Sequence, residues 1–115
     1  LMSVLNNAPY ETRDVALGSS DACLRAWVSA GVVTVDYLRS EPGFWSGNPG
    51  QYTRLGTVPE GLRPRADLRQ HAVSKDGAVV YMYVGADGAV GFVNVGEAGA
   101  IVDWFFGCCV TYAPR

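Results

Sequence analysis

The chain has 115 residues, of which 49% are hydrophobic and 17% charged, with 14 glycines and a formal net charge of −2. Such a balance supports one real core and excludes both a disordered tail and an ordinary charged helical bundle. It offers no basic field for a phosphate backbone, so no nucleic-acid partner is expected, and no apolar run approaches the ~18–20 residues of a membrane span, so no membrane insertion is expected.

No signal peptide is recognisable at the start. Residues 1–18 are expected to be an extended N-terminal segment or a link to a preceding shaft, within a single domain covering 1–115. From Ala22 to Ala30, Leu24, Ala26 and Val28 alternate with Cys23, Arg25, Trp27 and Ser29. A short "SAG" turn follows, and "VVTVDYL" then alternates again with Val33, Val35 and Tyr37 on one face. This predicts a hairpin whose glycine supplies the positive φ of the turn. Residues 40–51, "SEPGFWSGNPGQ", hold five prolines and glycines and no periodicity, which predicts a long loop centred on Phe44 and Trp45.

The next stretch, "TVPEGLRP" at 57–64, has two prolines five positions apart. Pro59 and Pro64 each fix φ and remove a backbone donor, so the stretch cannot be a central strand. Gly61 permits a turn, and Arg63 is expected to reach nearby carbonyl groups or a carboxylate. A rigid corner between strands is the expectation here, in preference to a ligand contact. Beyond Pro64 three alternating runs follow: "ADLRQHAVS" closed by "KDG", "AVVYMYVG" closed by "ADG", and "AVGFVNVG" closed by "EAGA". The Asp-Gly pairs predict hairpins. Ile101 to Tyr112 reads as one long final strand, with Val102, Trp104, Phe106, Cys108, Val110 and Tyr112 forming an apolar face. Its other face is mixed but still rather apolar, which suggests a second burial partner. About seven to nine strands and no convincing helix predict an all-β antiparallel sandwich or barrel.

Catalytic chemistry finds little support. His71 is the only histidine, the aspartates are scattered, and no phosphate-binding glycine loop precedes a helix. The three cysteines, Cys23, Cys108 and Cys109, lack C-x-x-C spacing and are expected to be buried small hydrophobes, neither a disulfide framework nor a zinc site. No enzyme activity, metal or cofactor is therefore expected. The aromatic residues are more informative. Tyr81 and Tyr83 share one face of a strand, and Phe92 and Asn94 share one face of the next. Together they could form a sugar platform, because aromatic faces pack on pyranose C–H groups while amides fix hydroxyls. The competing reading is that the tyrosines plug the core. The candidate ligand-binding set is Trp45, His71, Tyr81, Tyr83, Phe92 and Asn94.

The order "CLRAWVSAGVVTVDY", loop, "LGTVPEGLRPRADL", Asp-Gly hairpins and an aromatic-rich last strand resembles the C-terminal head domain of phage tail-fibre and baseplate receptor-binding proteins. Arg25, Gly31, Val33, Thr34 and Val35 fit the family's first strand pair. Pro59, Gly61, Arg63 and Pro64 fit its "L-P-x-G-[YF]-R-P" segment, with Leu62 where an aromatic is commoner. The likeness covers about residues 20 to 112. It implies a jelly-roll-like antiparallel β-sandwich assembled as a homotrimer at the virion tail tip. Such a head recognises a saccharide, typically a host cell-surface polysaccharide, without cleaving it. The alternative kept beside it is a purely structural virion module for trimerisation or decoration, with no ligand.

Overall fold

The computed structural model describes residues 11–39, 44–47, 50–73, 79–94, 100–103 and 106–115. Among these residues the chain is all-β and antiparallel, with no helix. Four strands form a first sheet: β1 (Arg13–Val15), β2 (Leu24–Ser29), β3 (Val32–Arg39) and β10 (Phe106–Tyr112), in the order β1-β2-β3-β10. A second sheet holds β5 (Tyr52–Thr57), β6 (Leu68–Val73), β7 (Val79–Val84) and β8 (Ala89–Asn94), in the order β5-β8-β7-β6. Between them in sequence, β4 (Phe44–Gly47) pairs with β9 (Ala100–Asp103) as a two-stranded ribbon.

The pairing is nested. β3 pairs with β10, β4 with β9, β5 with β8 and β6 with β7, so each pair lies inside the previous one along the chain. Within the second sheet, β6, β7 and β8 follow one another and β5 lies beside β8, which is Greek-key order.

Period-two alternation holds in both sheets: Val33, Val35 and Tyr37, expected on one face of β3, are buried, and on β7 the inward set is Val80, Met82 and Val84. The two four-stranded sheets share this core: the Tyr37 and Phe92 rings meet edge to face at 5.1 Å between centroids. Tyr37 Oη, fully buried, donates to Asp21 Oδ2 at 3.0 Å, and Asp21 Oδ1 accepts from the Cys23 backbone N–H at 2.9 Å. Along one side of the sheets the Leu17 carbonyl accepts from Thr57 N–H at 2.8 Å. Along the other, the Cys108 thiol of β10 donates to the Gln70 and His71 carbonyls of β6, both at 3.9 Å.

Three expectations change. The stretch 40–51 contains a strand, β4, which its proline and glycine content hid. The run Ile101 to Tyr112 is two strands, not one, and they pair with different partners in different sheets. The apolar alternation from Val102 to Tyr112 runs unbroken through that change, so it carries no mark of where the partner changes; Trp104 and Phe105 lie outside the described residues. Lastly, Cys108 is buried and Cys23 half-buried, but Cys109 is exposed, because its neighbours Cys108 and Val110 take the inward positions of β10. The "KDG" turn and most of "EAGA" fall outside the described residues.

The corner at 57–64 connects the two edge strands of the second sheet, β5 and β6. Leu62 N–H bonds the Pro59 carbonyl at 3.1 Å, and Gly61 sits at φ +93°, a conformation that L side chains resist. Arg63 Nε donates to the Val58 carbonyl at 2.9 Å, so its fork fastens the corner to itself. Val58 N–H in turn bonds the Gly88 carbonyl at 2.7 Å. Tyr112 Oη, from the end of β10, donates to the Leu62 carbonyl at 2.6 Å, and Pro64 is buried.

Candidate functional site

The outer face of the second sheet holds the candidate site. Because Met82 and Val84 point inward, Tyr81 and Tyr83 must point outward. Their partners across β6 are His71 and Arg69, and those across β8 are Val93 and Gly91. From β5, Tyr52 lies opposite Val93 and Arg54 opposite Gly91.

Gly91 is the key small residue of this face. A Cβ added there would lie 1.9 Å from the Thr53 carbonyl oxygen, so no other residue lets β5 approach this closely. The register of β5 shifts between Arg54 and Gly56, an irregularity of the bulge kind next to this close approach. With no side chain at Gly91, Tyr52 and Tyr83 reach across the intervening strand. Their rings meet edge to face, 5.0 Å between centroids and 64° between planes. Tyr83 is 7% exposed and Tyr52 is 52% exposed, so one forms the floor and the other a lip.

Around them opens a groove of about 360 Å³, toward the small end of the ~300–1,000 Å³ that ligand pockets span. Arg54 and Arg69 form its sides, while Asp67, Gly85, Asp87 and Ala89 close the end near the β7–β8 turn. Arg69 lies with its guanidinium carbon 5.7 Å from the Tyr52 ring centroid and donates to Tyr52 Oη. Arg54 Nη2 donates to Thr57 Oγ1 at 2.6 Å. Asp67 Oδ1 accepts from Ala86 N–H at 2.8 Å, and Asp87 Oδ1 from Ala89 N–H at 3.0 Å. Burial pushes the Tyr83 hydroxyl above its ordinary pKa while the nearby Arg54 charge works against this; Tyr52 and Asp87 add to the rise. Tyr83 therefore keeps its proton, and its donor, at neutral pH.

The expected platform of Tyr81, Tyr83, Phe92 and Asn94 is divided by the sheet. Phe92 and Asn94 point inward, 1% and 0% exposed, with Phe92 against Tyr37. The cause is one residue in a turn. A two-residue Asp-Gly turn would have set Tyr83 opposite Phe92. Instead Gly85 N–H bonds the Ala89 carbonyl and Gly88 N–H the Gly85 carbonyl, both at 2.8 Å, giving a three-residue loop with Gly88 at φ +92°. The extra residue moves the register by one, so Tyr83 faces Gly91 and Phe92 turns to the core.

Tyr83 lines the groove, and Tyr81 lies beside it on the same face with its ring 5.5 Å from that of His71. Trp45 sits in β4 opposite Val102, and its side chain lies outside the described residues. Pro59, Gly61, Arg63 and Pro64 stay in the corner and are not among the groove's lining residues. Sequence reasoning missed Tyr52, Arg54 and Arg69. The alternation in "YTR" and "LRQH" carries the parity of these side chains, but not which strands stand beside β7.

No group of three or more potential metal ligands occurs among the described residues. The Cys108 thiol faces backbone carbonyls, and burial, then Cys109 and Asp36, push its pKa up to about 11. The His71 ring stands on the outer face, against Tyr81, so the two do not form a nucleophile–base pair.

The first sheet's outer face differs in kind. Arg25 and Asp36 are 4.0 Å apart, and Arg25 lies 5.8 Å from the Trp27 ring centroid. Leu38 is 59% exposed and Val32 36% exposed, both on β3.

Comparison of the chain with protein-family models, curated proteins and solved structures returns no match.

Proposed function

We propose that this domain is a non-enzymatic saccharide-binding head, of the kind carried at the tail tip of a phage or prophage particle, that recognises a host cell-surface saccharide. The observation that carries this reading is the groove beside the Tyr52–Tyr83 pair, where two tyrosine rings meet amid guanidinium and carboxylate groups. Aromatic faces take the C–H surface of a pyranose, and planar charged groups pair with its vicinal hydroxyls. The nested strand pairing and the Greek-key second sheet support a jelly-roll-like sandwich. Exposed Leu38 and Val32 support self-association through the first sheet, as a homotrimer.

Each head would bind at about millimolar strength, worth roughly 4 kcal/mol, and a particle carrying many heads gains by avidity. The test is a glycan array probed with the multimerised domain, beside a Tyr52→Ala variant. Retention of a glycan by the parent and its loss in the variant is the expected outcome; a parent that retains no glycan defeats the reading.

A purely structural virion module is the second reading. Arg69 already bonds Tyr52 and Arg54 already bonds Thr57, which is how a surface with no ligand would satisfy itself. It fails if Tyr52→Ala folds normally yet abolishes adsorption of the particle.

A further inference from the structure

We infer that the groove is selective for an acidic sugar, whose carboxylate is held between Arg54 and Arg69 while its ring rests against Tyr52 and Tyr83. This deepens the saccharide reading and rests on it. Counting charges alone would argue otherwise, since Arg54 and Arg69 are matched by Asp67 and Asp87.

Geometry separates the two pairs within the groove. Each carboxylate gives one oxygen to the β7–β8 turn, at the end of the groove. Asp67 Oδ1 is held by the Ala86 N–H and Asp87 Oδ1 by the Ala89 N–H, at 2.8 and 3.0 Å. Asp87 also folds back over Gly85, where a Cβ would lie 2.5 Å from its Oδ1. The guanidinium groups are held differently. Each donates to a neutral hydroxyl, Thr57 Oγ1 for Arg54 and Tyr52 Oη for Arg69, and neither forms an ion pair among the described residues.

A guanidinium has five N–H donors in a rigid fork, so each arginine keeps most of its donors for a ligand. Two such forks, one on β5 and one on β6, stand on either side of a nearly buried aromatic floor. A carboxylate is the planar anion that matches a fork in two parallel bonds, at about twice the strength of a neutral hydrogen bond. A neutral sugar would leave the remaining donors of both forks to water.

The experiment uses paired glycans on one array: uronic-acid oligosaccharides and their carboxyl-reduced counterparts, with phosphorylated and sulfated sugars as further arms. The probes are the multimerised parent chain and the Arg54→Gln, Arg69→Gln and Tyr52→Ala variants, each checked for an unchanged β-sheet spectrum. Acidic glycans should be retained and their carboxyl-reduced partners lost. Each arginine variant should bind them roughly ten- to a hundred-fold more weakly, and added salt should weaken parent binding. Retention of neutral sugars that is indifferent to both arginine variants but lost in Tyr52→Ala overturns the acidic preference and leaves the saccharide reading standing. Retention of phosphorylated or sulfated sugars alone overturns the carboxylate. No retention of any sugar overturns both.

Discussion

The two sheets present opposite kinds of outer face. On the second sheet, a glycine in mid-strand lets β5 crowd β8, so tyrosines and arginines converge on a groove. On the first sheet the outward residues of β3 are Val32, Thr34, Asp36 and Leu38, and Asp36 is answered by Arg25 from the neighbouring strand. There the side chains stand in rows, and Thr34 and Thr111 hydroxyls lie 3.4 Å apart in a cross-strand pair. Regular pairing yields a flat face suited to a broad partner. A bulge and a missing side chain yield a concave one suited to a small ligand.

The largest effect should come from filling that gap. Gly91→Val places a Cβ against the Thr53 carbonyl, a backbone atom that cannot move without breaking the β5–β8 ladder. A loss of about 3 kcal/mol or more is expected, measured by denaturant unfolding, together with loss of the groove. A variant that unfolds at the parent's midpoint would show that β5 does not depend on close approach, and the contrast between the faces would lose its cause.

The next effect concerns the end of β10. Burial pushes the Tyr112 hydroxyl up to about 12 and, with help from Cys109 and Asp36, the Cys108 thiol to about 11. Both groups are favoured neutral in the folded chain, whereas the unfolded chain ionises them at ~8.5 to ~10. Stability is therefore fully present below pH ~8.5 and falls as pH rises, first through the Cys108 window to about 11 and then through that of Tyr112 to about 12. Each contributes on the order of 1–2 kcal/mol across its window, solvent screening of these partly buried groups allowed for. Tyr112→Phe should flatten the upper part of that fall. It should also cost about 1–2 kcal/mol at neutral pH, because the Leu62 carbonyl loses its donor. Equal alkaline slopes in the two proteins would exclude this account.

These two regions also show what sequence can and cannot disclose. Val33, Val35 and Tyr37 were legible as one face, because parity along a strand is a local property, whereas which face of β7 turns inward stayed open between its tyrosines and the residues alternating with them. The corner at Pro59 to Pro64 was legible as a non-strand for the same reason: proline and glycine act on their own backbone. The groove was not. Tyr52 and Arg54 stand near Tyr83 only because β5 pairs with β8 across a long connection. Phe92 and Asn94 left the outer face because one extra residue entered a turn that reads equally well as Asp-Gly with two.

A smaller effect separates the hairpins of the two sheets. The β7–β8 loop has glycine at its positive-φ position, Gly88 at +92°, whereas the β2–β3 turn has Ala30 at φ 52° followed by Gly31 at 75°. Positive φ at both central residues is the type I′ pattern, which favours Asn-Gly, and a left-handed alanine costs roughly 1–2 kcal/mol. Ala30→Asn should therefore raise stability by about 1 kcal/mol. Thermal unfolding would show it as a higher midpoint, and an unchanged or lower one would mean that Ala30 is not strained.

The smallest change in stability is expected at an exposed large hydrophobic residue of the flat face. Leu38 and Tyr52 are similarly exposed, at 59% and 52%, yet they stand in different surroundings. Tyr52 is held by a ring and a guanidinium, so its removal should disturb the proposed saccharide site. Leu38 lies opposite Gly107 of β10, which has no side chain to set against it. Leu38→Ser should shift the stability of an isolated chain by no more than about 0.5 kcal/mol, since the residue is already in water. If the flat face is where copies meet, the same substitution should drive the chain toward monomer in sedimentation or light scattering, because it puts a polar group into a buried contact. Tyr52→Ala should leave that assembly intact. A trimer indifferent to Leu38→Ser but lost in Tyr52→Ala would reverse the roles assigned to the two faces.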